Sequence, residues 1–207
     1  MKLVSTEQST AGLISTLRSS NLSMNIFTTN HCPVVSAQEM CDKHVVKMIV
    51  EYAQLMSTAH RVLDGEQYEG RTKLNRRIKR WLHPDKFLEE HLYKASHIKH
   101  PSGIWCRSTT GNYKWLYDHF IASCEEYTHR YGKTHLTFTK MAEVFKTPPK
   151  NLPEGPQTEF AVAIAENQTC RQVPGFDQLS VVDKYKQYIK SDKPFAVWTK
   201  RQKPSWF

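Results

Sequence analysis

The stretch SAQEMCDKHVVKMIVEYAQLMSTAHRV, residues 36–62, contains neither glycine nor proline and shows the clearest helical pattern in the chain. Apolar side chains recur within it at spacings of 4, 3 and 4 residues, at Val45, Ile49, Tyr52 and Met56. Because an α-helix has about 3.6 residues per turn, these side chains share one face, as in a helix that packs against a core. The pattern therefore predicts a long, half-buried helix at the centre of the fold.

The two ends of this helix carry recognisable signals. Ser36-Ala37-Gln38-Glu39 matches a capping box, in which the serine hydroxyl accepts a backbone amide and the glutamate reaches back. Asp64-Gly65 follows the last apolar residues and supplies a stop signal. We therefore expect the helix to begin at Ser36 and to end near Val62.

Weaker periodic patterns predict more helices and very little sheet. Further helices are expected at Asn112–Tyr131, Thr139–Lys146, Glu159–Asn167 and Val181–Lys190, and a possible strand at Asn25–Thr28. The predicted class is mainly α, a compact single-domain helical bundle with two long helices and an irregular aromatic C-terminal tail.

The first 23 residues differ in composition from the rest. They are rich in serine and threonine, contain no aromatic residue, and stop just before a second methionine, Met24. This composition favours a disordered N-terminal extension or an upstream start of translation. We expect residues 24–207 to form a single helical domain.

The overall charge limits the classes of function. Among 207 residues, 29 Lys and Arg face 20 Asp and Glu, which gives a net charge of +9 and favours a polyanionic partner such as nucleic acid. No apolar run is long enough to cross a membrane, and no secretory signal is visible. The five scattered cysteines favour reduced thiols in a cytoplasmic protein.

The second face of the long helix carries groups that can do chemistry. His44, Lys47, Glu51 and Gln54 are spaced 3, 4 and 3 residues apart and therefore form one stripe. A partly desolvated carboxylate beside an amine and an imidazole is suited to general acid–base catalysis. The alternative is an ordinary solvated helix face with a Lys–Glu pair.

Two basic segments are candidate phosphate-binding surfaces. The first contains Arg71, Lys73, Arg76, Arg77, Lys79 and Arg80. The second is the C-terminal tail, with Lys184, Lys186, Lys190, Lys193, Lys200, Arg201 and Lys203 interleaved with aromatic residues that include Trp198. Cations that follow a phosphate backbone, together with aromatic faces on which a base can stack, are typical of proteins that bind single strands or flipped bases. In the alternative, the aromatic residues belong to the core and the lysines only solubilise the protein.

A third cluster, His97-Ile98-Lys99-His100-Pro101, is expected on a loop because proline disfavours helix there. Loops that enter a helix are common anion sites, which makes Lys99 and His100 candidate DNA contacts, although a purely structural loop is the commoner case. Phosphate-binding and dinucleotide-binding glycine motifs are missing, and we predict no cofactor.

A metal site is a further hypothesis. Cys41-x-x-His44 on the helix could face His31-Cys32 on the preceding loop, and thiolate and imidazole are good zinc ligands. Against it, no second close pair of ligands accompanies them, and cysteine is commonly just buried. We therefore assign no metal ligands and keep a zinc-dependent nuclease as an alternative function.

Cys41-Asp42-Lys43-His44, followed by Glu51-Tyr52, resembles the first helix of the phage pyrimidine-dimer DNA glycosylase/AP lyase family of the endonuclease V type. The same run is similar to a set of uncharacterised phage proteins. The Pro101 loop, the Tyr113–Lys133 segment and the aromatic tail near Tyr185–Tyr188 resemble later elements of that family, so that the tail would contact bases.

The resemblance implies a base-excision enzyme. In that family the N-terminal α-amine attacks C1′ of the damaged nucleotide, and a helix glutamate assists proton transfer and strand cleavage. The glutamate carries over onto Glu51 and the helix histidine onto His44. If the protein is phage-encoded, it would act in the cytoplasm of the bacterial host on double-stranded DNA, and a flipped base is one form in which the DNA would bind.

This chain departs from the family in three places. Val50 and Gln54 stand where the family has arginines, and Lys47, Arg61 and Lys43 are the candidate substitutes. A long insertion spans roughly residues 64–96, and residues 1–23 would place the α-amine far from Glu51. Either translation begins at Met24, or Lys47 forms the imine, or Glu51 activates water without lyase action.

We therefore expect a DNA glycosylase, with AP lyase activity left open, in which Glu51 is the acid–base group and His44 and Lys47 orient or polarise the reacting groups. The arginines of the Arg71–Arg80 run and the tail cations would hold phosphates, and Trp198 or a neighbouring aromatic residue would wedge into the opened base site or stack on it. The main rival is a non-catalytic nucleic-acid-binding protein. The sequence leaves open which lesion or modified base is recognised.

Overall fold

A computed structural model describes residues 24–207, so the predicted N-terminal extension lies outside the described residues. This part of the chain forms seven α-helices, one antiparallel pair of strands and two short 3-10 turns. The helices are α1 (Pro33–Gln38), α2 (Asp42–Asp64), α3 (Lys86–His91), α4 (Pro101–Cys106), α5 (Thr110–Tyr131), α6 (Leu136–Phe145) and α7 (Val181–Asp192). The strands are β1 (Glu66–Arg71) and β2 (Arg77–Leu82), and the 3-10 turns are Thr169–Gln172 and Phe176–Gln178. The predicted mainly-α class is confirmed.

The start of the first long helix was predicted wrongly. Pro33 occupies the first turn of the separate short helix α1, a position at which proline is favoured, and α2 begins only after a break at residues 39–41. Ser36 lies inside α1 and is buried, and its hydroxyl accepts from the amide of Thr29 and donates to the carbonyl of Phe27. The serine therefore ties down the segment before α1 and caps no helix.

The other predicted helices differ in accuracy. The structure confirms the second long helix as α5, which ends at Gly132 in the left-handed conformation with φ 64°, and the last helix as α7. It places α6 about three residues before its predicted start. The predicted helix at 159–167 is wrong, because that segment is non-helical and offers its backbone to the hydroxyl of Tyr185. The possible strand at 25–28 is wrong too, since the segment has no ladder partner.

The sequence patterns gave no sign of the β-hairpin. Its strands pair in register from Glu66 with Leu82 to Arg71 with Arg77, and the turn between them places Asn75 at φ 59°. Nearly every residue of the hairpin is exposed or half-exposed, with Trp81 at its base as the buried one. A ribbon with no buried face lacks the alternation of apolar and polar residues by which strands are recognised.

The core lies between α2, α5 and the segments that cover them. Its fully buried side chains include Met48, Tyr52 and Met56 of α2, and Leu116 and Phe120 of α5. The α2 helix presents one face to this core, and its opposite face carries the site.

In the part of the chain that is described, no helix is both long enough and apolar enough for a membrane span.

Candidate active site around Glu51

Glu51 lies near the middle of α2, with 8% of its side chain exposed. Its Oε2 atom accepts a hydrogen bond from the backbone N–H of Asn25 at 3.3 Å, and its Oε1 atom lies 2.9 Å from Nζ of Lys47. The carboxylate borders a pocket of about 480 Å³. The other residues that line this pocket are Met24, Val46, Lys47, Val50, Gln54, Ser96, His97 and His135. A carboxylate with one half-exposed cation, at the wall of a mostly apolar pocket, can exchange a proton with a bound molecule.

Asn25 holds the backbone in front of Glu51, and sequence reasoning did not identify it. Its side chain is fixed from three directions: Oδ1 accepts from the hydroxyl of Tyr185 at 2.7 Å and from the amide of Ile26, and Nδ2 donates to the carbonyl of Ala163. The position of the Asn25 nitrogen is thus set by elements far apart in sequence. Nothing local in the sequence indicates this role, apart from the proximity to Met24.

The predicted stripe on α2 divides into two parts. Lys47, Glu51 and Gln54 all border the pocket, and Gln54 is oriented by a hydrogen bond from Nε2 to the carbonyl of Lys94 at 2.8 Å. His44 does not join them. Its ring is buried and stacks on Phe27 with 4.2 Å between ring centroids.

Burial is also the main reason why the imidazole of His44 is uncharged. It lowers the pKa of the imidazole to about 3, and the charges of Lys193 and Lys47 act in the same direction. A neutral ring behind Phe27, with no hydrogen bond to Glu51, is positioned to support the fold. The structure therefore does not bring His44 to the site expected of it.

The structure shows where the three candidate substitutes for the family's arginines lie. Arg61 is buried and donates to Glu89 and to the carbonyls of Tyr93, Trp81 and Leu92, so it fastens α3 and the hairpin to α2. Lys43 lies over the ring of Phe195, with its Nζ 4.8 Å from the centroid. Of the three candidates, Lys47 is the one in contact with Glu51.

Asp42, the acid of the resembling motif, has a structural role. One carboxylate oxygen pairs with Arg130 of α5 at 2.9 Å, and the other accepts from the backbone and hydroxyl of Thr199. Arg130 in turn pairs with Glu126 at 2.6 Å, and Glu126 also binds Arg201 through two hydrogen bonds. The beginning of α2 is therefore locked to α5 and to the C-terminal tail.

The predicted DNA contacts fall into two groups. Lys99 and His100 lie on the loop next to the Glu51 pocket, and the hairpin that carries the Arg71–Arg80 run stands beside that loop. Arg71, Arg76 and Arg77 are exposed on the outer half of this hairpin. The loop itself is shorter than predicted, since Pro101 begins α4 and the side chain of His100 caps it.

The tail residues are placed elsewhere, and none of them lines the Glu51 pocket. Trp198 donates to the carbonyl of Glu39 at 3.0 Å, and Arg201 is occupied by Glu126. Lys184 and Lys186 lie on α7, where Lys186 pairs with Asp183, and Lys200 is exposed in the tail. Tyr185 and Tyr188, expected near bases, are buried. The wedge role of Trp198 has no support in this arrangement.

The expected zinc ligands are not brought together. Among the described residues, the group whose ligand atoms come within 4.8 Å of one another is His60, Asp64 and His83, while Cys32 is exposed and Cys41 is buried. Nδ1 of His83 accepts a hydrogen bond from the backbone N–H of Asp85. The proton of the neutral ring therefore lies on Nε2 of His83, which points toward Asp64. A metal ligand needs a free electron pair there, and this trio therefore does not fit a metal ion as it stands.

Comparison with known protein families gives one match. The model of one family, described as pyrimidine dimer DNA glycosylase, matches residues 24–139. The chain belongs to the pyrimidine dimer DNA glycosylase family. The match to this glycosylase family begins at Met24 and includes every residue that lines the Glu51 pocket, whereas Tyr185 and the tail lie outside it. Searches of curated proteins and of solved structures found no significant match.

Proposed function

We propose that the protein is a DNA glycosylase with AP lyase activity that acts on damaged or modified bases in double-stranded DNA, with Glu51 as its acid–base group. One observation carries the proposal: the nearly buried Glu51 carboxylate borders the pocket and accepts a hydrogen bond from the backbone nitrogen of Asn25. Membership of the glycosylase family supports it. The apolar side chains of Val46 and Val50, both exposed beside Glu51, offer contact area to an extruded nucleoside.

The chemistry requires an amine in front of this carboxylate. An α-amine attacks C1′ of the nucleotide, and the base leaves with the glycosidic electron pair and takes up one of the two amine protons. The C1′–O4′ bond of the sugar then breaks, O4′ takes up the second proton, and an imine forms between nitrogen and C1′. Glu51 then takes a proton from C2′, and the 3′ phosphate leaves by β-elimination. An α-amine is suited to the first step because its ordinary pKa of about 7.7–8.0 leaves part of it uncharged at neutral pH.

We propose Asn25 as the source of that amine. When a residue precedes it, the nitrogen is a peptide amide and cannot attack; when Asn25 is the first residue, the same nitrogen is an amine. The 3.3 Å contact would then join nucleophile and base directly. The clamp from Tyr185 and Ala163 would keep this terminus in place.

The decisive experiment compares three forms on a duplex with one abasic site: the full chain, a form that begins at Met24, and a form that begins at Asn25. Borohydride reduction traps an imine as a covalent protein–DNA adduct. We expect the Asn25 form to give the adduct and to cleave the strand. Equal trapping by the full chain would overturn the choice of Asn25 as nucleophile.

A substitution tests the carboxylate. We expect Glu51→Gln in the Asn25 form to lower strand cleavage by about 1,000-fold, within the range for loss of a general acid–base group, with binding to the duplex retained. Binding without base release or adduct across a panel of damaged and modified duplexes would instead support the rival non-catalytic module.

A further inference from the structure

The hairpin formed by β1 and β2 has two faces of different character. In the observed register, Gln67, Lys79 and Trp81 point to one side, while the next residues along β2, Ile78 and Arg80, point to the other. The first side borders a cleft of about 870 Å³, and the opposite wall of this cleft is the loop 97–100. Each strand has six residues and therefore extends about 20 Å from the body.

The described residues that line this cleft include two lysines and no acidic group, and Glu69, on the same side of the hairpin, pairs with Arg77. Lys79 comes from the hairpin and Lys99 from the loop, and Trp81 and Val62 supply apolar surface. Burial lowers the pKa of His100, and the nearby His97 adds to this effect, so His100 is neutral. Since its Nδ1 accepts the amide of Ser102, the proton lies on Nε2 and can be donated. Two cations, a neutral donor and an indole suit a sugar–phosphate chain.

The cleft and the Glu51 pocket meet at one residue. His97 lines both, and its backbone is in the left-handed region, with φ 49°, which is uncommon for a residue other than glycine. Such strain is often found at functional sites. The cleft and the Glu51 pocket are therefore adjacent, with His97 between them.

We infer that this cleft binds the backbone of the DNA strand that flanks the extruded nucleotide, with the hairpin acting as an arm along the duplex. The inference rests on the proposed function, because it assigns a route for the same substrate. It also gives the insertion a role: the hairpin, about 20 Å long, is long enough to lie along about six base pairs at 3.4 Å per step. Phosphate contacts set the register of the duplex, whereas Glu51 and its pocket act on one nucleotide.

The test uses the full chain and a duplex that contains a tetrahydrofuran abasic analogue, so that binding is measured without reaction. We expect Lys79→Ala with Lys99→Ala to weaken binding roughly tenfold and to reduce the slope of log affinity against log salt by about 2, one for each lost phosphate contact. The charge-matched control is Lys86→Ala with Lys140→Ala, two exposed lysines outside the cleft. It should leave the slope within about 0.5 of the unaltered value.

A second comparison tests the face of the hairpin. Lys79 and Arg80 are neighbours on β2 that point to opposite sides, so Lys79→Ala should lower affinity more than Arg80→Ala. Equal losses would show that the hairpin binds by general charge, and equal losses for the two lysine pairs would exclude the cleft; either result overturns this inference while the proposed function stands. If the unaltered protein binds no duplex at all, the proposed function fails together with it.

Discussion

Glu51 and Glu126 are both nearly buried glutamates on long helices, with 8% and 3% of their side chains exposed, yet their surroundings differ. Glu126 is paired with Arg130 and with Arg201, so both of its oxygens are occupied. Among the described residues, Glu51 pairs with one cation, the half-exposed Lys47, accepts the Asn25 amide through its other oxygen, and borders a pocket. A carboxylate enclosed by two guanidinium groups stabilises structure, whereas one with an open side remains available for proton transfer.

The pKa of Glu126 reflects this enclosure. Burial by itself would raise the pKa of the carboxyl, but the hydrogen bonds and charges of Arg201 and Arg130 outweigh it and hold the pKa below its usual value. The same arginines leave no room for a substrate at Glu126. The comparison therefore assigns stability to the Arg130 network and chemistry to the Glu51 pocket.

Disruption of the enclosed Glu126 site should destabilise the protein most. Glu126→Gln removes the main counter-charge of Arg130, whose side chain is fully buried and keeps only Asp42 as an acidic partner. We expect the free energy of unfolding to fall by about 3 kcal/mol, measured by urea denaturation. Glu125→Gln, at the exposed neighbouring position on α5, should change it by less than about 0.5 kcal/mol. If the two variants were equally stable, Glu126 would not be a structural centre.

His44 tests where the Arg130 network ends and the Glu51 site begins, because it lies between Asp42 and Glu51 on α2. Its pKa in the folded protein is about 3, below the ordinary 6.5, so the unfolded chain binds more protons between these values. The free energy of unfolding should therefore fall as the pH drops below about 6.5, by up to about 1.4 kcal/mol per pH unit for this residue. We expect His44→Phe to remove that part of the slope in urea titrations at pH 7 and pH 5.

A second variant separates protonation from packing. His44→Gln also removes the titrating group but loses the stack on Phe27, so it should share the reduced slope and be less stable at pH 7. Strand cleavage by the folded His44→Phe protein should stay within about threefold of the unaltered protein. A loss of strand cleavage close to that of Glu51→Gln would instead assign His44 a role in the Glu51 site.

The features that sequence reasoning found are local ones. Lys47, Glu51 and Gln54 share a face because residues three and four apart on a helix are neighbours, and the long helices follow from apolar periodicity. The features that it missed depend on distant partners. The clamp on Asn25 involves Tyr185, 160 residues away, and the partner of Arg201 is 75 residues earlier. From the sequence alone, Arg201 cannot be told apart from a free surface cation, because its partner, the buried acid Glu126, lies far away along the chain.

The hairpin was missed for a different physical reason. Its strands bury almost nothing, so their composition is that of a loop, and its basic residues were identified only as charge. Its sequence therefore indicates a polyanionic partner but does not show which side of the ribbon meets it. Register alone separates Lys79 from Arg80, and register is a property of the folded pair.

The smallest expected effect on stability is at Lys47, the single cation paired with Glu51. The pair is half-exposed at the lysine, so Lys47→Met should change the free energy of unfolding by no more than about 0.5 kcal/mol, in contrast to Glu126→Gln. The Lys47→Met variant is most informative in borohydride trapping experiments. If the Asn25 amine is the nucleophile, the Asn25 form of Lys47→Met should still give the borohydride adduct, with cleavage reduced about tenfold because Glu51 loses its partner. Complete loss of the adduct, with the duplex still bound, would identify the Lys47 amine as the group that forms the imine. The open side of Glu51 would then serve a side-chain nucleophile, and the clamp on Asn25 would be structural.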